Sequence, residues 1–365
     1  MRALATMTAI AMTALTLAKP AIAGPALLFD ASNGQVLYAE DPDDSWYPAS
    51  LTKIMTAYIA FEAVKIRKLR LDQKIPVSEA ANLQPPSKVG LPVGGELSVE
   101  LAIQALVVKS ANDVAVMLAE AISGSEAEFV VKMNETAAKL GMTRTRFLNP
   151  NGLPAPEQAT TARDLAKLTR AVIKEFPEYA RYWAMPDMHI GKIRLATHNA
   201  LLKTFEGADG FKTGFTCDSG YNVVATATRD NRRLVAVVLG ETDGQSRAIR
   251  AASLLEHGFG MQGWKTLFNS TTIDNLSATK DVKGLVSMRT AVAAWSCGNR
   301  PKRVHITKKT NKVGEIKAKV AAVKTKAKQT QAAAAQASPA QPSAPQPSKP
   351  QSSTNKPAAP ATASQ

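Results

Sequence analysis

Residues 47–56 read Tyr47-Pro48-Ala49-Ser50-Leu51-Thr52-Lys53-Ile54-Met55-Thr56. Tyr47-Pro48-Ala49-Ser50 opens a helix whose apolar positions Ile54, Met55, Ile59, Phe61 and Val64 leave little polar surface, so the helix is predicted to be buried. Three residues is almost one helical turn, so Ser50 and Lys53 share a face. A serine hydroxyl is a poor nucleophile until a base takes its proton. Lys53 can be that base where burial and a neighbouring positive charge lower its pKa. The backbone donors of a helix start also favour developing negative charge. The spacing alone decides nothing, because it recurs at Ser277-Lys280 and Ser353-Lys356.

Two further motifs single out Ser50. Ser110-Ala111-Asn112 interrupts the apolar helical stretch Leu97 to Ile122, and offers a hydroxyl for proton relay and an amide for substrate. Lys212-Thr213-Gly214 lies in the strand-like run Gly210 to Phe215. A cation and a hydroxyl on a strand edge suit a carboxylate, and glycine lets a substrate approach the backbone. The three motifs follow one another at roughly sixty and then a hundred residues, in the order known for penicillin-binding proteins and class A β-lactamases.

With these residues the chain, from about Ala26 to Phe259, resembles the D-alanyl-D-alanine carboxypeptidases, the low-molecular-mass penicillin-binding proteins. Lys109-Ser110-Ala111-Asn112-Asp113, Phe147-Leu148-Asn149-Pro150-Asn151-Gly152-Leu153, Asp209-Gly210-Phe211-Lys212-Thr213-Gly214-Phe215-Thr216 and Ser219-Gly220-Tyr221-Asn222 carry the likeness alongside the opening stretch. The resemblance implies an α+β fold of the β-lactamase/transpeptidase type. Its five-stranded antiparallel sheet has helices on both faces and an inserted helical region. It also implies that Ser50 attacks the carbonyl between the last two D-alanines of a peptidoglycan stem peptide, with Lys53 as general base. Ser110 would relay the proton and Asn112 orient the substrate amide. The Ser50 and Phe215 backbone N–H groups would form the oxyanion hole, and Lys212, Thr213 and Arg247 would hold the terminal carboxylate beside Gly214. The implied partners are peptidoglycan stem peptides and, as inhibitors, β-lactam antibiotics. No cofactor or metal is expected, since His189, His198, His257 and His305 form no ligand cluster.

Three other readings use the same residues. A class A β-lactamase expects Ser-Asp-Asn as its second motif and a deacylating Glu after it, and this chain has Ser110-Ala111-Asn112 and Asn149-Pro150-Asn151-Gly152-Leu153 there. A D,D-endopeptidase would cut crosslinks with the same site, and a wall-binding scaffold would carry it inactive.

Element order supports the fold. Strand-like runs at Ala26 to Phe29 and Gln35 to Tyr38 flank an Asn33-Gly34 hairpin signal. Helices follow, among them Glu128 to Leu140 and a stretch from Leu165 capped by Thr161. Asn222 to Ala227 and Leu234 to Leu239 join Gly210 to Phe215 as strands, and Arg247 to Phe259 closes as a helix. Two strands, many helices, three strands and one helix predict a sheet whose first strands rejoin the last three.

Residues 1–23 read as a secretory signal peptide ending in Ala21-Ile22-Ala23. That places the mature chain in the periplasm, with a peripheral association with the inner membrane left open. Residues 24–262 form the catalytic domain, and 263–300 form short strands or an appendage. Of the net charge of +15, residues 301–330 supply +9, and no nucleic-acid-binding motif accompanies it, so nucleic acid is not an expected partner. Residues 301–365 are basic, then rich in Pro and Ala, and cannot bury a core. They are predicted to be disordered, and the 301–330 segment is a candidate for weak association with anionic envelope surfaces. Two cysteines, Cys217 and Cys297, allow either one disulfide, tying the end of the ordered chain to a central strand, or two free thiols.

Overall fold

The computed structural model describes residues 24–261, 270–297 and 319. The signal-peptide reading, and all but one residue of the basic tail, lie outside the described residues.

β1 (Ala26–Asp30) and β2 (Val36–Glu40) form the predicted hairpin, turned at Gly34 with a φ of 79°. A 3-10 turn (Ala49–Thr52) leads into α1 (Lys53–Lys65), so the first motif spans the junction of two helix types. Every α1 residue from Lys53 to Phe61 is buried, as its even apolarity requires. A strand pair, β3 (Lys74–Pro76) and β4 (Glu96–Ser98), brackets the short α2 (Glu79–Asn82). α3 (Val99–Val108) and α4 (Asn112–Ser123) flank the second motif. α5 (Glu126–Lys139) starts two residues before the predicted point, because Ser125 accepts the Glu128 N–H as its cap. α6 (Ala162–Glu175) starts at the predicted cap, with Thr161 accepting the Asp164 N–H. α7 (Ala180–Trp183), the pair β5 (Asp187–Ile190) and β6 (Ile193–Ala196), and α8 (Leu201–Thr204) follow. These three- and four-residue elements are too short to carry a period and were not predicted. β7 (Ala208–Thr216), β8 (Gly220–Arg229) and β9 (Arg232–Glu241) precede α9 (Gly244–Gly260). α9 begins three residues ahead of the predicted Arg247, because the Asp243 side chain caps it.

The main sheet runs β2-β1-β9-β8-β7, and every neighbouring pair is antiparallel. Its centre is buried on both sides. Leu27, Phe29, Val235 and Val237 face the core shared with α1, α3, α4 and α6, and Leu28, Leu234, Ala236 and Val238 face the core under α9. This explains why β9 reads as an unbroken apolar run. The edge strand β7 carries the third motif and abuts the turn that carries Ser50, which positions the site.

Of the two expectations for this region, short strands or an appendage, residues 270–297 do not form the strands. Among the described residues they hold only an isolated bridge, Thr272 to Gln35, and a 3-10 turn at Ala294–Cys297. The segment is a strap across the domain. Asp43 accepts from Arg163 at 2.7 and 2.8 Å and from the Thr279 N–H, while Arg163 donates to the Leu276 and Ser277 carbonyls. The strap ends at a Cys217–Cys297 disulfide, Cα–Cα 5.6 Å. Cys217 lies in the turn after the edge strand β7, not in a central strand.

Candidate active site

Ser50 sits one turn ahead of α1, and Lys53 is the first residue of that helix. The turn is tightly cut. Ala49 has a φ of 48°, and a Cβ on Gly152 would stand 1.8 Å from the Ala49 carbonyl oxygen. Lys53 has no exposed surface. Its Nζ contacts Ser50 Oγ at 3.1 Å, Asn112 Oδ1 at 2.8 Å and the Asn151 carbonyl at 2.5 Å. Burial, reinforced by the charge of Lys212, pushes the Lys53 pKa well below its ordinary value, against a smaller opposing pull from Asp113. A neutral amine keeps two N–H donors and one lone pair. Asn112 Oδ1 and the Asn151 carbonyl accept only, so they take the donors and turn the lone pair toward the Ser50 hydroxyl.

Ser110 is the corner between α3 and α4, with a φ of 61°. A loop at 85–90 holds this corner. Ser87 Oγ donates to the Lys109 carbonyl, and the Asn112 N–H donates to the Ser87 carbonyl at 2.7 Å. The Asp113 carboxylate accepts the Val89 and Gly90 N–H groups. Asn112 Nδ2 donates to the Pro85 carbonyl at 2.8 Å, which engages one of its two hydrogens.

Lys212 reaches from β7 to donate to Ser110 Oγ at 2.9 Å. Burial first, then the Arg247 charge, lowers its pKa to about 7. A Cβ on Gly214 would lie 3.1 Å from Ser50 N, so the strand and the Ser50 turn meet as bare backbone. Asn222 fixes this approach, donating to the Tyr47 carbonyl and accepting the Gly240 N–H. Arg247 is buried at the start of α9, donates to the His198 carbonyl at 3.2 Å and lies 5.7 Å from the Tyr221 ring centre. Burial lowers its pKa to about 10, so it stays charged at neutral pH. His198 is held neutral, its pKa lowered to about 4 by burial and then by Lys212.

A cleft of about 650 Å³ joins these groups. Ser50, Ser110, Asn112, Thr213, Gly214, Phe215 and Arg247 line it, and Lys53 and Lys212 stand buried behind its wall. No Asp or Glu is among its lining residues. Cys217 and Cys297 are bonded beside the cleft and do not line it. Sequence reasoning missed the Asn151 carbonyl, Ser87, His198, Tyr221 and Ser296. Asn151 falls within a stretch quoted for the resemblance, but its contact is made by backbone, which leaves no mark on residue type. The repeat at Ser277-Lys280 lies on the strap, where the Ser277 carbonyl accepts from Arg163. The repeat at Ser353-Lys356 lies outside the described residues.

The family described as D-alanyl-D-alanine carboxypeptidase matches residues 12–243. The chain is 36% identical over 262 residues to D-alanyl-D-alanine carboxypeptidase DacA of Haemophilus influenzae, covering 70% of this chain and 64% of that protein. It is 38% identical over 240 residues to DacC of Escherichia coli, covering 64% of this chain and 60% of that protein. The match thus spans less than two thirds of either relative's own length. Among solved structures, penicillin binding protein 5 from Haemophilus influenzae aligns with a TM-score of 0.63 at 37% identity, over 65% of this chain and 70% of that one. Penicillin-binding protein D2 from Listeria monocytogenes, in its cefotaxime-bound form, aligns with a TM-score of 0.60 at 33% identity, over 65% of this chain and 97% of that one.

Proposed function

We propose, from the premise that the chain belongs to the D-alanyl-D-alanine carboxypeptidase family, that it is a serine peptidase releasing the terminal D-alanine from peptidoglycan stem pentapeptides. The observation that carries this reading is the buried Lys53 amine, whose two fixed acceptors aim its lone pair at Ser50. Lys53 takes the Ser50 proton as Oγ bonds to the penultimate carbonyl carbon. The Ser50 and Phe215 N–H groups receive the oxyanion where β7 meets the Ser50 turn. Ser110, bridged to Lys212, gives its proton to the leaving nitrogen and regains one from protonated Lys53, so the C–N bond breaks, D-alanine departs and Lys53 is neutral again. Asn112 orients the substrate amide with the hydrogen that Pro85 leaves unengaged. Lys212, Thr213 and Arg247 hold the terminal carboxylate. Water then attacks the Ser50 ester carbonyl, Lys53 takes the water proton and returns it to Ser50 Oγ as the ester bond breaks, and the tetrapeptide acid leaves.

The carboxylate-free cleft wall supports slow deacylation of a β-lactam adduct, hence inhibition rather than β-lactamase turnover. The substrate is a wall polymer outside the inner membrane, and a Cys217–Cys297 bond suits that oxidising compartment. Incubation with a fluorescent penicillin, followed by peptide mapping, tests the nucleophile. One label on Ser50, absent in Ser50→Ala, is the expected result, and a label that survives this substitution overturns it. Rapid multiple turnover of a chromogenic cephalosporin would instead favour the β-lactamase reading.

A further inference from the structure

The catalytic cleft does not end at Ser50. A second cavity of about 270 Å³ adjoins it, and the two share Gly152, Leu153 and Thr216 in their walls. Pro48, Ala49, Leu153, Pro154 and Pro156 give the second cavity an apolar side, Tyr47, Gln158 and Thr216 give it polar surface, and Asp218 is the single charged side chain among its lining residues. Asp218 follows β7 and is held by the strap. Its Oδ1 accepts from Ser287 Oγ at 2.6 Å and Arg289 Nε at 3.2 Å, its Oδ2 accepts from Arg289 Nη2 at 2.6 Å, and its carbonyl accepts the Met288 N–H. The Cys217–Cys297 bond fastens the same strap one residue away. A carboxylate offers about four acceptor positions, and these donors fill three, leaving one on Oδ2. Hydrogen bonding from Arg289, then Ser287, holds the carboxyl below the usual range, so it is charged at neutral pH.

Direction along β7 identifies what reaches this cavity. With the terminal carboxylate at Lys212, Thr213 and Arg247 and the reacting carbonyl at Ser50, the acyl half of the substrate runs on past Phe215 toward Thr216. An extended strand advances about 3.3 Å per residue, which sets the Thr216 wall beside the residue preceding the two D-alanines. We propose that the second cavity is the subsite for that residue's side chain, and that Asp218 receives an aliphatic ammonium group at its end. The side made by the prolines and Leu153 suits a methylene chain, and the open Oδ2 position suits one ammonium N–H. This subsite rests on the carboxypeptidase reading given above.

Two tripeptides test it, both Nα-acetyl-L-Lys-D-Ala-D-Ala, one with its ε-amine free and one with it acetylated. The measurement is D-alanine release, taken as the ratio of kcat/KM for the free over the acetylated probe. The wild type should favour the free amine by roughly three- to tenfold, as a partly buried ion pair allows. Asp218→Asn should bring the ratio close to one. Damage to the strap alone would slow both probes alike and keep the ratio, which counts against the subsite. Salt titration of the wild type needs no variant: the ratio should fall as ionic strength rises. A wild-type ratio near one, or one indifferent to salt or to Asp218→Asn, overturns the subsite while leaving the carboxypeptidase reading intact. Release from neither probe overturns that reading and the subsite with it.

Discussion

In the proposed mechanism Lys53 is a base only when neutral, whereas Lys212 holds a carboxylate only when charged. Burial and a neighbouring cation act on both. Burial beside Lys212 drives the Lys53 pKa well down, and Lys212, buried near Arg247, titrates at about 7. The sign of the pH dependence follows. kcat/KM should rise as Lys53 loses its proton and fall above about pH 7 as Lys212 loses its own. Arg247→Ala removes a charge that depresses the Lys212 pKa, so the falling limb should move to higher pH while KM rises. A pH–rate series on both proteins checks this, and an unmoved limb would contradict it. Lys53→Arg sets a permanent charge where a neutral amine is required and gives up the base, because a guanidinium stays protonated. It should lower kcat/KM by at least about 100-fold; an active arginine variant would remove Lys53 from its role.

At the scale of elements, the site depends on backbone segments meeting without side chains between them. Gly152 at φ +80° lies against the Ala49 carbonyl, and the neighbouring Asn151 carbonyl holds Lys53. Gly152→Ala adds strain and a contact with backbone, and should cost about 1–3 kcal/mol. The melting temperature should drop and acylation should slow. A variant as stable and as active as the wild type would show that this packing is dispensable. These meetings also mark the limit of sequence reading. Ser50, Lys53, Ser110, Asn112 and Lys212 announce themselves by side-chain chemistry, and the long helices and central strands by their periodicity. The β3–β4 and β5–β6 pairs are too short to show a period. The Asn151 carbonyl, and the 85–90 loop apart from Ser87 Oγ, act through main-chain groups that any residue type supplies. The strap contacts join residues as far apart as Asp43 and Thr279, and nothing local encodes them.

Across the whole molecule, the strap closes the domain. Arg163 and Asp43 anchor the strap at Leu276 to Thr279 and the Cys217–Cys297 bond anchors its end, the two cysteines standing at a sequence separation of 80. Cross-linking a loop of that length stabilises by about 2–4 kcal/mol, largely by restricting the unfolded chain. The paired change Cys217→Ser with Cys297→Ser should therefore lower the melting temperature under non-reducing conditions, and the unfolded, non-reduced wild type should titrate no free thiol. One free thiol per cysteine would contradict the bond. The central claim concerns the reaction itself. Purified protein incubated with a stem pentapeptide should release one equivalent of D-alanine per peptide and leave a tetrapeptide, and Ser50→Ala should lower this rate by at least about 1000-fold. Release that persists in Ser50→Ala, or no release by a folded wild type that still binds penicillin, would contradict the account.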